Sequence, residues 1–233
     1  MRIWDTGKAT ARENMAQDAF LLETLEQSFE AVLHLYDWWG DCATFGHFIQ
    51  PEKFFDLEAV QEKKLTLEKR PTGGGIIFHS FDLTFSLAIP VGHPLYFPNT
   101  LACYAAVNRE VIQVICQFLG RPTEPTLLPL QPPPKDEVSQ HFCMASPTKY
   151  DVILEGKVGG AAQRRKRYGY LHQGSISLIP PSEELICAVL KEGPSVYKDM
   201  LQNGQTLLSS QEELVEGRRS LKDLLVKHFS QHL

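Results

Sequence analysis

Residues 70–79 read RPTGGGIIFH, and this stretch carries the most specific local signal in the chain of 233 residues. Three successive glycines, Gly73, Gly74 and Gly75, allow positive φ angles and let the backbone approach a ligand closely. Arg70, just before them, can offer a fixed guanidinium to a carboxylate or phosphate. The pattern predicts a loop between strands that cradles an anionic or bulky ligand, with a plain glycine-rich hairpin as the alternative. The spacing matches neither the dinucleotide-binding fingerprint GxGxxG nor the P-loop, so both of these sites are excluded.

Residues 142–167, FCMASPTKYDVILEGKVGGAAQRRKR, form the second chemical signal. A cysteine near a lysine can act as a nucleophile, which makes Cys143 a candidate, and an inert buried cysteine is the alternative. Lys157 beside a glycine-rich strand can bind a carbonyl or phosphate oxygen, and a solvated surface lysine is the alternative. The small residues from Gly159 to Ala162 would let another chain or a ligand pack closely.

The hydrophobic pattern around these segments predicts both helices and strands. The predicted helices cover 13–28, 55–64, 99–119, 183–190 and 211–228. The predicted strands cover 30–39, 76–90, 150–156, 157–163 and 169–179. Asn14 is expected to cap the first helix, and Asn99 or Thr100 the third, which ends at Gly120. Apolar residues within 83–87 alternate with polar or small ones, so this strand is expected to be half-buried. The elements do not alternate regularly, which indicates an α+β fold.

Composition limits the classes of partner and compartment. The formal net charge is −5, so no global basic field favours nucleic acid or an anionic membrane. We predict no membrane span and no signal peptide, and therefore a cytoplasmic protein. The five cysteines are scattered without a CxxC pair, which fits a reducing compartment and predicts no disulfide framework and no metal site. Six prolines between 122 and 134 predict an extended linker or surface loop.

Five segments together resemble one known family. NMAQD at 14–18, the glycine loop, LTFS at 83–86, LEGKVGGAAQR at 154–164 and LHQGSISL at 171–178 are similar, in this order, to lipoate–protein ligases and octanoyltransferases. The resemblance implies the catalytic fold shared with biotin–protein ligases, a mixed central β-sheet flanked by helices. The biotin-ligase string GRGRxGR is absent. We expect a single catalytic domain over 1–233, with a helical segment from about 182 and no full accessory domain.

The resemblance also implies roles for individual residues. Cys143 matches the nucleophile of the ligase-like octanoyltransferases, and Lys157 matches a lysine that contacts the acyl carbonyl. The expected substrate-binding residues are Arg70, Gly73, Gly74, Gly75, His79, Gly160 and Ala161. Three departures from the family pattern stand out: Ser80 follows His79 where the family usually has aspartate, His172 lies one position early, and a second lysine after Lys157 is missing.

Three functions remain open from the sequence. In the first, Cys143 takes an octanoyl group from acyl carrier protein as a thioester and passes it to a lysine of a lipoyl carrier domain, without a cofactor. In the second, a lipoate–protein ligase uses ATP and Mg²⁺ to form a lipoyl-adenylate. Cys143 and the LTFS stretch favour the transferase, whereas Gly75 favours the ligase. The third is a non-catalytic relative that binds the carrier.

The expected partners follow from the two enzymatic functions. They are lipoyl-domain proteins of the 2-oxoacid dehydrogenases or the glycine-cleavage H protein, with acyl carrier protein as the donor. The run RRKR at 164–167 is expected to be a solvated face, and a docking patch for an acidic carrier domain is the alternative.

Overall fold

A seven-stranded mixed sheet forms the centre of the computed structural model, which describes residues 1–120, 125–130, 132–133 and 137–232. Its strands, in spatial order, are β1 (Arg2–Ala9), β2 (Val32–Trp38), β6 (Asp82–Pro90), β10 (Gly169–Ser177), β9 (Lys157–Lys166), β8 (Val152–Ile153) and β7 (Thr126–Leu127). Among the described strands of this sheet, only β1 and β2 are parallel neighbours. A second sheet has the order β4 (Thr66–Lys69), β3 (Cys42–Phe45) and β5 (Ile76–His79).

Six α-helices accompany the sheets within the described residues. They are α1 (Ala11–Thr24), α2 (Leu57–Glu62), α3 (Thr100–Leu119), α4 (Glu183–Val189), α5 (Gly193–Asn203) and α6 (Leu214–His232). The predicted α+β class, a mixed sheet flanked by helices, is confirmed. None of these helices combines the length and the apolar composition needed to cross a bilayer. The five cysteines, all in described positions, form no disulfide.

The two faces of the large sheet differ in chemistry. One face carries the apolar side chains of β2, β6 and β10, among them Leu33, Phe85 and Ile176, and these join the main hydrophobic core with residues of α3 and α6. The opposite face carries polar side chains at the alternate positions, because successive side chains of a strand point to opposite sides. This polar face is covered by α1 and the second sheet, and it forms one wall of the candidate site.

The prediction of a half-buried strand at 83–87 is wrong. All nine residues of β6 are buried, including Thr84 and Ser86 on the polar face. Their hydroxyl groups are hydrogen-bonded to buried carboxylates, which makes complete burial of both faces tolerable.

The start of α1 also differs from the prediction. Thr10, not Asn14, is the N-cap: its side chain accepts a hydrogen bond from the Glu13 amide, and the Glu13 carboxylate accepts one from the Thr10 amide. Asn14 lies inside the helix, where its buried amide donates to the Asp37 carbonyl at 3.0 Å and so ties α1 to β2. The predicted cap at Asn99 and the end of α3 at Gly120, which has a φ of 57°, are both confirmed.

Four elements were missed from the sequence and one segment was misassigned. Strands β1, β3 and β4 and helix α5 were not predicted. Helix α5 starts at Gly193 and Pro194, a pair that suggests a break, although proline suits the first turn of a helix. Within the proline-rich segment, Thr126–Leu127 forms strand β7 and not a loop. Pro122 and Pro134, at the ends of that segment, lie outside the described residues.

Candidate active site

A cleft lies between the polar face of the large sheet, the glycine loop and β5, with about 440 Å³ of empty space when its opening to solvent is included. Seven of the nine predicted site residues line it: Arg70, Gly74, Gly75, His79, Cys143, Gly160 and Ala161. Lys157 reaches Cys143 from β9, so the structure brings the two chemical signals of the sequence together. Gly73 is not among the lining residues; its carbonyl is turned toward Arg70.

Cys143 and Lys157 form the candidate chemical centre, with Cys143 in the wall of the cleft and Lys157 behind it. The Lys157 Nζ atom lies 2.7 Å from the Cys143 carbonyl oxygen and 3.4 Å from the Cys143 Sγ atom. The Cys143 amide donates to the Ile76 carbonyl at 2.8 Å, which fixes the cysteine backbone against β5. Lys157 is only 2% exposed, so it is not a solvated surface lysine. Cys143 is partly exposed and faces the cleft, unlike a cysteine enclosed in the core.

Asp151, which the sequence analysis did not select, completes this centre. Its Oδ2 atom lies 2.6 Å from Lys157 Nζ and accepts hydrogen bonds from the amide and the hydroxyl of Thr148 at 2.6 and 3.0 Å. Burial by itself would lower the pKa of Lys157, but the negative charges of Asp151 and Cys143 outweigh burial and raise this pKa. Lys157 is therefore held as an ammonium ion next to the thiol.

The glycine loop is held in place by Arg70. Both terminal nitrogens of this guanidinium, which is 7% exposed, bind protein oxygens. One donates to the carbonyl and hydroxyl of Thr44, both at 2.9 Å, and the other to the carbonyls of Gly73 and Gly75 at 2.9 and 2.7 Å. The terminal guanidinium nitrogens of Arg70, which we expected to bind a ligand anion, therefore hold the loop in place.

Two of the glycines meet backbone constraints. Gly74 has a φ of 86°, a conformation that side-chain-bearing residues rarely adopt. At Gly75, a Cβ atom would lie 2.2 Å from the His141 carbonyl oxygen. Local packing therefore explains the glycine at position 75, and this residue does not distinguish a ligase from a transferase.

His79 belongs to a buried hydrogen-bond chain at one wall of the cleft. Its Nδ1 atom lies 2.7 Å from Asp82 Oδ2, and its Nε2 atom lies 2.7 Å from Thr44 Oγ1. Its ring stacks on Trp38 with a centroid distance of 4.2 Å. Since a carboxylate only accepts, the ring donates from Nδ1 to Asp82. Asp82 therefore partners His79, although Ser80 stands where the family usually has aspartate.

A second buried network lies under the cleft, around Asp18 of α1. One carboxylate oxygen of Asp18 accepts from Tyr36, Ser86 and Gln173 at 3.1, 2.6 and 2.6 Å, and the other lies 2.7 Å from His34 Nδ1. The Gln173 amide oxygen in turn accepts from the hydroxyl of a glycine-loop residue, Thr72, at 2.5 Å. Asp18 and Gln173 thus connect α1 to the loop.

His172, the neighbour of Gln173, lies on the opposite face of β10 and does not line the cleft. Its ring is completely buried near Phe85 and Tyr104, and burial lowers its pKa to about 3. The neutral ring contacts Gln163 at 2.8 Å. In this chain the cleft position on β10 is therefore taken by Gln173.

The basic run 164–167 is only in part the predicted solvated face. Arg164 and Arg167 are exposed. Arg165 stacks over the Tyr96 ring and donates to the Tyr96 hydroxyl and the Pro98 carbonyl, both at 3.1 Å. Lys166 pairs with Glu23 of α1. The exposed Arg164 also donates to the Pro71 carbonyl at 3.0 Å, so three of the four charges fasten β9 to other parts of the chain.

Comparisons with known proteins agree with this geometry. A model of the lipoyl protein ligase A/B catalytic domain matches residues 10–201. The octanoyltransferase LipM of Moorella thermoacetica is 30% identical over 235 residues, which cover 98% of this chain and 85% of that protein. The LipM of Bacillus subtilis is 28% identical over 230 residues, with coverages of 95% and 81%.

Solved structures show the same fold. The structure of a lipoate-protein ligase A bound with ATP superposes with a TM-score of 0.71 at 20% identity, covering 99% of this chain and 84% of that one. A bipartite lipoate protein ligase from Thermoplasma acidophilum, studied with its E2 lipoyl domain, gives a TM-score of 0.64 at 18% identity, with coverages of 99% and 82%. Because the family model spans most of its length, this chain belongs to the lipoyl protein ligase A/B catalytic domain family.

Proposed function

We propose that this protein transfers an octanoyl group to a lysine of a lipoyl carrier domain through a thioester on Cys143. The observation that supports this most strongly is the Lys157 ammonium, 3.4 Å from the Cys143 sulfur at the wall of the cleft. A thiol beside a buried cation is suited to nucleophilic attack on a thioester. The relatives named octanoyltransferase LipM support the same activity.

The cleft offers a place for the acyl chain. It extends across the polar face from β9, which carries Lys157, past β10 and β6 to Trp38 on β2. Three spacings between neighbouring strands amount to about 14 Å, which leaves room for an extended octanoyl chain. The chain would lie with its carbonyl at Cys143 and its methyl end toward Trp38 and His79.

The reaction would proceed in two transfers. The Cys143 thiolate attacks the carbonyl carbon of the octanoyl thioester on acyl carrier protein, and the bond to the donor sulfur breaks. The acceptor lysine, as a neutral amine, then attacks the Cys143 thioester, forms the amide and returns a proton to the departing cysteine sulfur. No cofactor enters this sequence; a ligase would instead require lipoate, ATP and Mg²⁺. The acceptor we propose is a lipoyl domain of a 2-oxoacid dehydrogenase or the glycine-cleavage H protein.

Intact mass spectrometry tests the thioester. The wild-type protein mixed with octanoyl acyl carrier protein should gain the mass of one octanoyl group, and hydroxylamine should remove it. Cys143→Ala should form no adduct and transfer nothing, whereas Cys143→Ser should form a slower ester. Cys116→Ala is the matched control, since Cys116 packs against the main core on α3, and should keep the adduct.

A parallel reaction with lipoate, ATP and Mg²⁺ separates the alternatives. Full activity of Cys143→Ala in that reaction would establish the ligase in place of the transferase. A wild-type protein that binds the lipoyl domain but modifies it under neither condition would be the non-catalytic relative.

A further inference from the structure

Asp151 is a buried carboxylate whose position is fixed from several directions. It is 3% exposed, and its Oδ2 atom accepts from both the amide and the hydroxyl of Thr148 besides its contact with Lys157. Tyr150, just before it, has a φ of 71°, a conformation that non-glycine residues rarely adopt. The Tyr150 carbonyl accepts from Asn108 Nδ2 of α3 at 2.8 Å. The surrounding structure therefore enforces an uncommon backbone shape that presents the carboxylate to Lys157.

The contacts of Lys157 match a protonated amine. Nζ has three neighbours within reach of its hydrogens: Asp151 Oδ2 at 2.6 Å, the Cys143 carbonyl at 2.7 Å and Cys143 Sγ at 3.4 Å. An ammonium has three donors and no acceptor, so it can serve all three at once. A neutral amine would have to turn its lone pair toward one of them. The raised pKa of Lys157 agrees with this geometry.

The charges around the thiol also favour a fixed cation. Among the described residues, the charge of Cys143 interacts with Lys157, Arg70 and the Tyr104 hydroxyl, and Asp151 is paired with Lys157. Of these groups, Lys157 is the cation that contacts the sulfur, at 3.4 Å, and Asp151 Oδ2 lies 2.6 Å from the same ammonium.

We infer that Asp151 is a positioning residue that holds Lys157 as a permanent ammonium, so that Lys157 stabilises the Cys143 thiolate and the oxyanion but does not accept the thiol proton. This inference rests on the proposed function. In the acylation step, the thiol proton passes to solvent, the sulfur–carbon bond to Cys143 forms, and the bond to the donor sulfur breaks. The donor thiolate then takes a proton from solvent, so protons balance while Lys157 keeps its own.

If Lys157 were instead the base that takes the thiol proton, removal of the Asp151 charge should have the opposite effect on the rate. Without that charge, burial would dominate and the pKa of Lys157 would fall. A base would then be available at lower pH, and Asp151→Asn would acylate at the same rate or faster near neutral pH. If Lys157 acts as a cation, the Asp151→Asn variant would lose the Lys157 charge as the pH rises. Acylation by this variant would therefore become slower toward alkaline pH.

The test is the single-turnover rate of Cys143 acylation by octanoyl acyl carrier protein, measured by intact mass between about pH 6 and pH 9.5. For the wild type, the rate should rise with thiol ionisation and reach a plateau. Asp151→Asn should be about 10- to 100-fold slower at neutral pH, and its rate should fall again on the alkaline side. This effect is smaller than the roughly 100- to 1000-fold cost of losing an oxyanion donor outright, because Lys157 is displaced and not removed. Asp223→Asn, an exposed position on α6, is the matched control and should follow the wild type.

A second variant covers the case in which Asp151→Asn does not fold. Thr148→Ala removes the hydroxyl bond to Asp151 but leaves every charge in place, and should slow acylation about 3- to 10-fold, equivalent to one weakened hydrogen bond. Wild-type rates in Thr148→Ala, or a neutral-pH rate in folded Asp151→Asn equal to or above that of the wild type, would overturn the inference. If the wild-type protein itself forms no thioester, the proposed function fails first and independently.

Discussion

One added carbon atom at Gly160 should disable the protein while leaving it folded. A Cβ atom at this position would lie 2.7 Å from Lys157 Cε, 3.0 Å from Lys157 Nζ and 3.2 Å from Asp151 Oδ1. Ordinary contacts between such atoms are about 3.5–4.0 Å, so the lysine end would have to move by roughly 1 Å. That movement cannot preserve both the 2.6 Å contact with Asp151 and the 2.7 Å contact with the Cys143 carbonyl.

The structural and functional costs of Gly160→Ala should differ. The atoms displaced belong to the end of a flexible side chain, so the loss of folding free energy should stay at about 1–3 kcal/mol, the usual cost of overpacking. A misplacement of about 1 Å in a group that acts on the reacting atoms can reduce the rate about 100-fold. We therefore expect a folded protein with a transfer rate near 1% of wild type.

The assay is octanoyl transfer to a lipoyl domain, with thermal unfolding measured on the same samples. Gly159→Ala is the matched control, because its Cβ atom would meet ordinary contacts of 3.4 Å to the Ser175 carbonyl and 3.6 Å to Val152. It adds the same carbon one residue earlier and should retain most activity. If Gly160→Ala transfers at a rate close to that of Gly159→Ala, the position of the Lys157 ammonium does not limit the reaction.

Three further perturbations test other parts of the site. Lys157→Ala should abolish octanoyl transfer, whereas Lys222→Ala, which removes a surface ion pair, should transfer normally; equal activities would remove Lys157 from the mechanism. Gly74→Val places a β-branched residue at a φ of 86°, so transfer should be lost while the far-ultraviolet circular dichroism stays native, and retained transfer would show that the loop does not contact the ligand. Burial opposes ionisation of Asp82, but its contacts with His79 and two hydroxyl groups outweigh burial and hold its pKa below the usual 3.8. Ionised Asp82 therefore stabilises the fold above that value, and this stabilisation is lost as the pH falls through the lowered pKa, so acid unfolding curves should be steeper below about pH 4 for the wild type than for Asp82→Asn.

The chemical centre was predictable where the residue type itself carries the chemistry. Cys143, Lys157 and the glycine loop could be selected because a thiol, an amine and three successive glycines are informative without neighbours. Asp151 was missed because nothing marks a single carboxylate as buried. Its one local signal is the spacing to Thr148, three residues earlier, which allows a hydroxyl to bond back to the carboxylate.

The errors in the fold have related physical causes. Thr10 and Glu13 have the spacing of a capping box, and this signal outweighs the capping propensity of Asn14, which is needed elsewhere for its contact with β2. The alternation in β6 was recognised, but alternation does not tell whether polar residues face water or a buried partner. In this chain they face Asp18 and Asp82, two carboxylates far apart in sequence.

The wall of polar side chains along the cleft has a consequence for what the cleft can recognise. The hydroxyls of Tyr36 and Ser175 and the amide of Gln173 already donate to Asp18 or Asp82. Groups that are engaged on their far side present mainly their carbon atoms to a ligand, so a surface built from polar residues behaves like a hydrocarbon surface of fixed shape. Such a surface distinguishes guests by length and width more than by polarity.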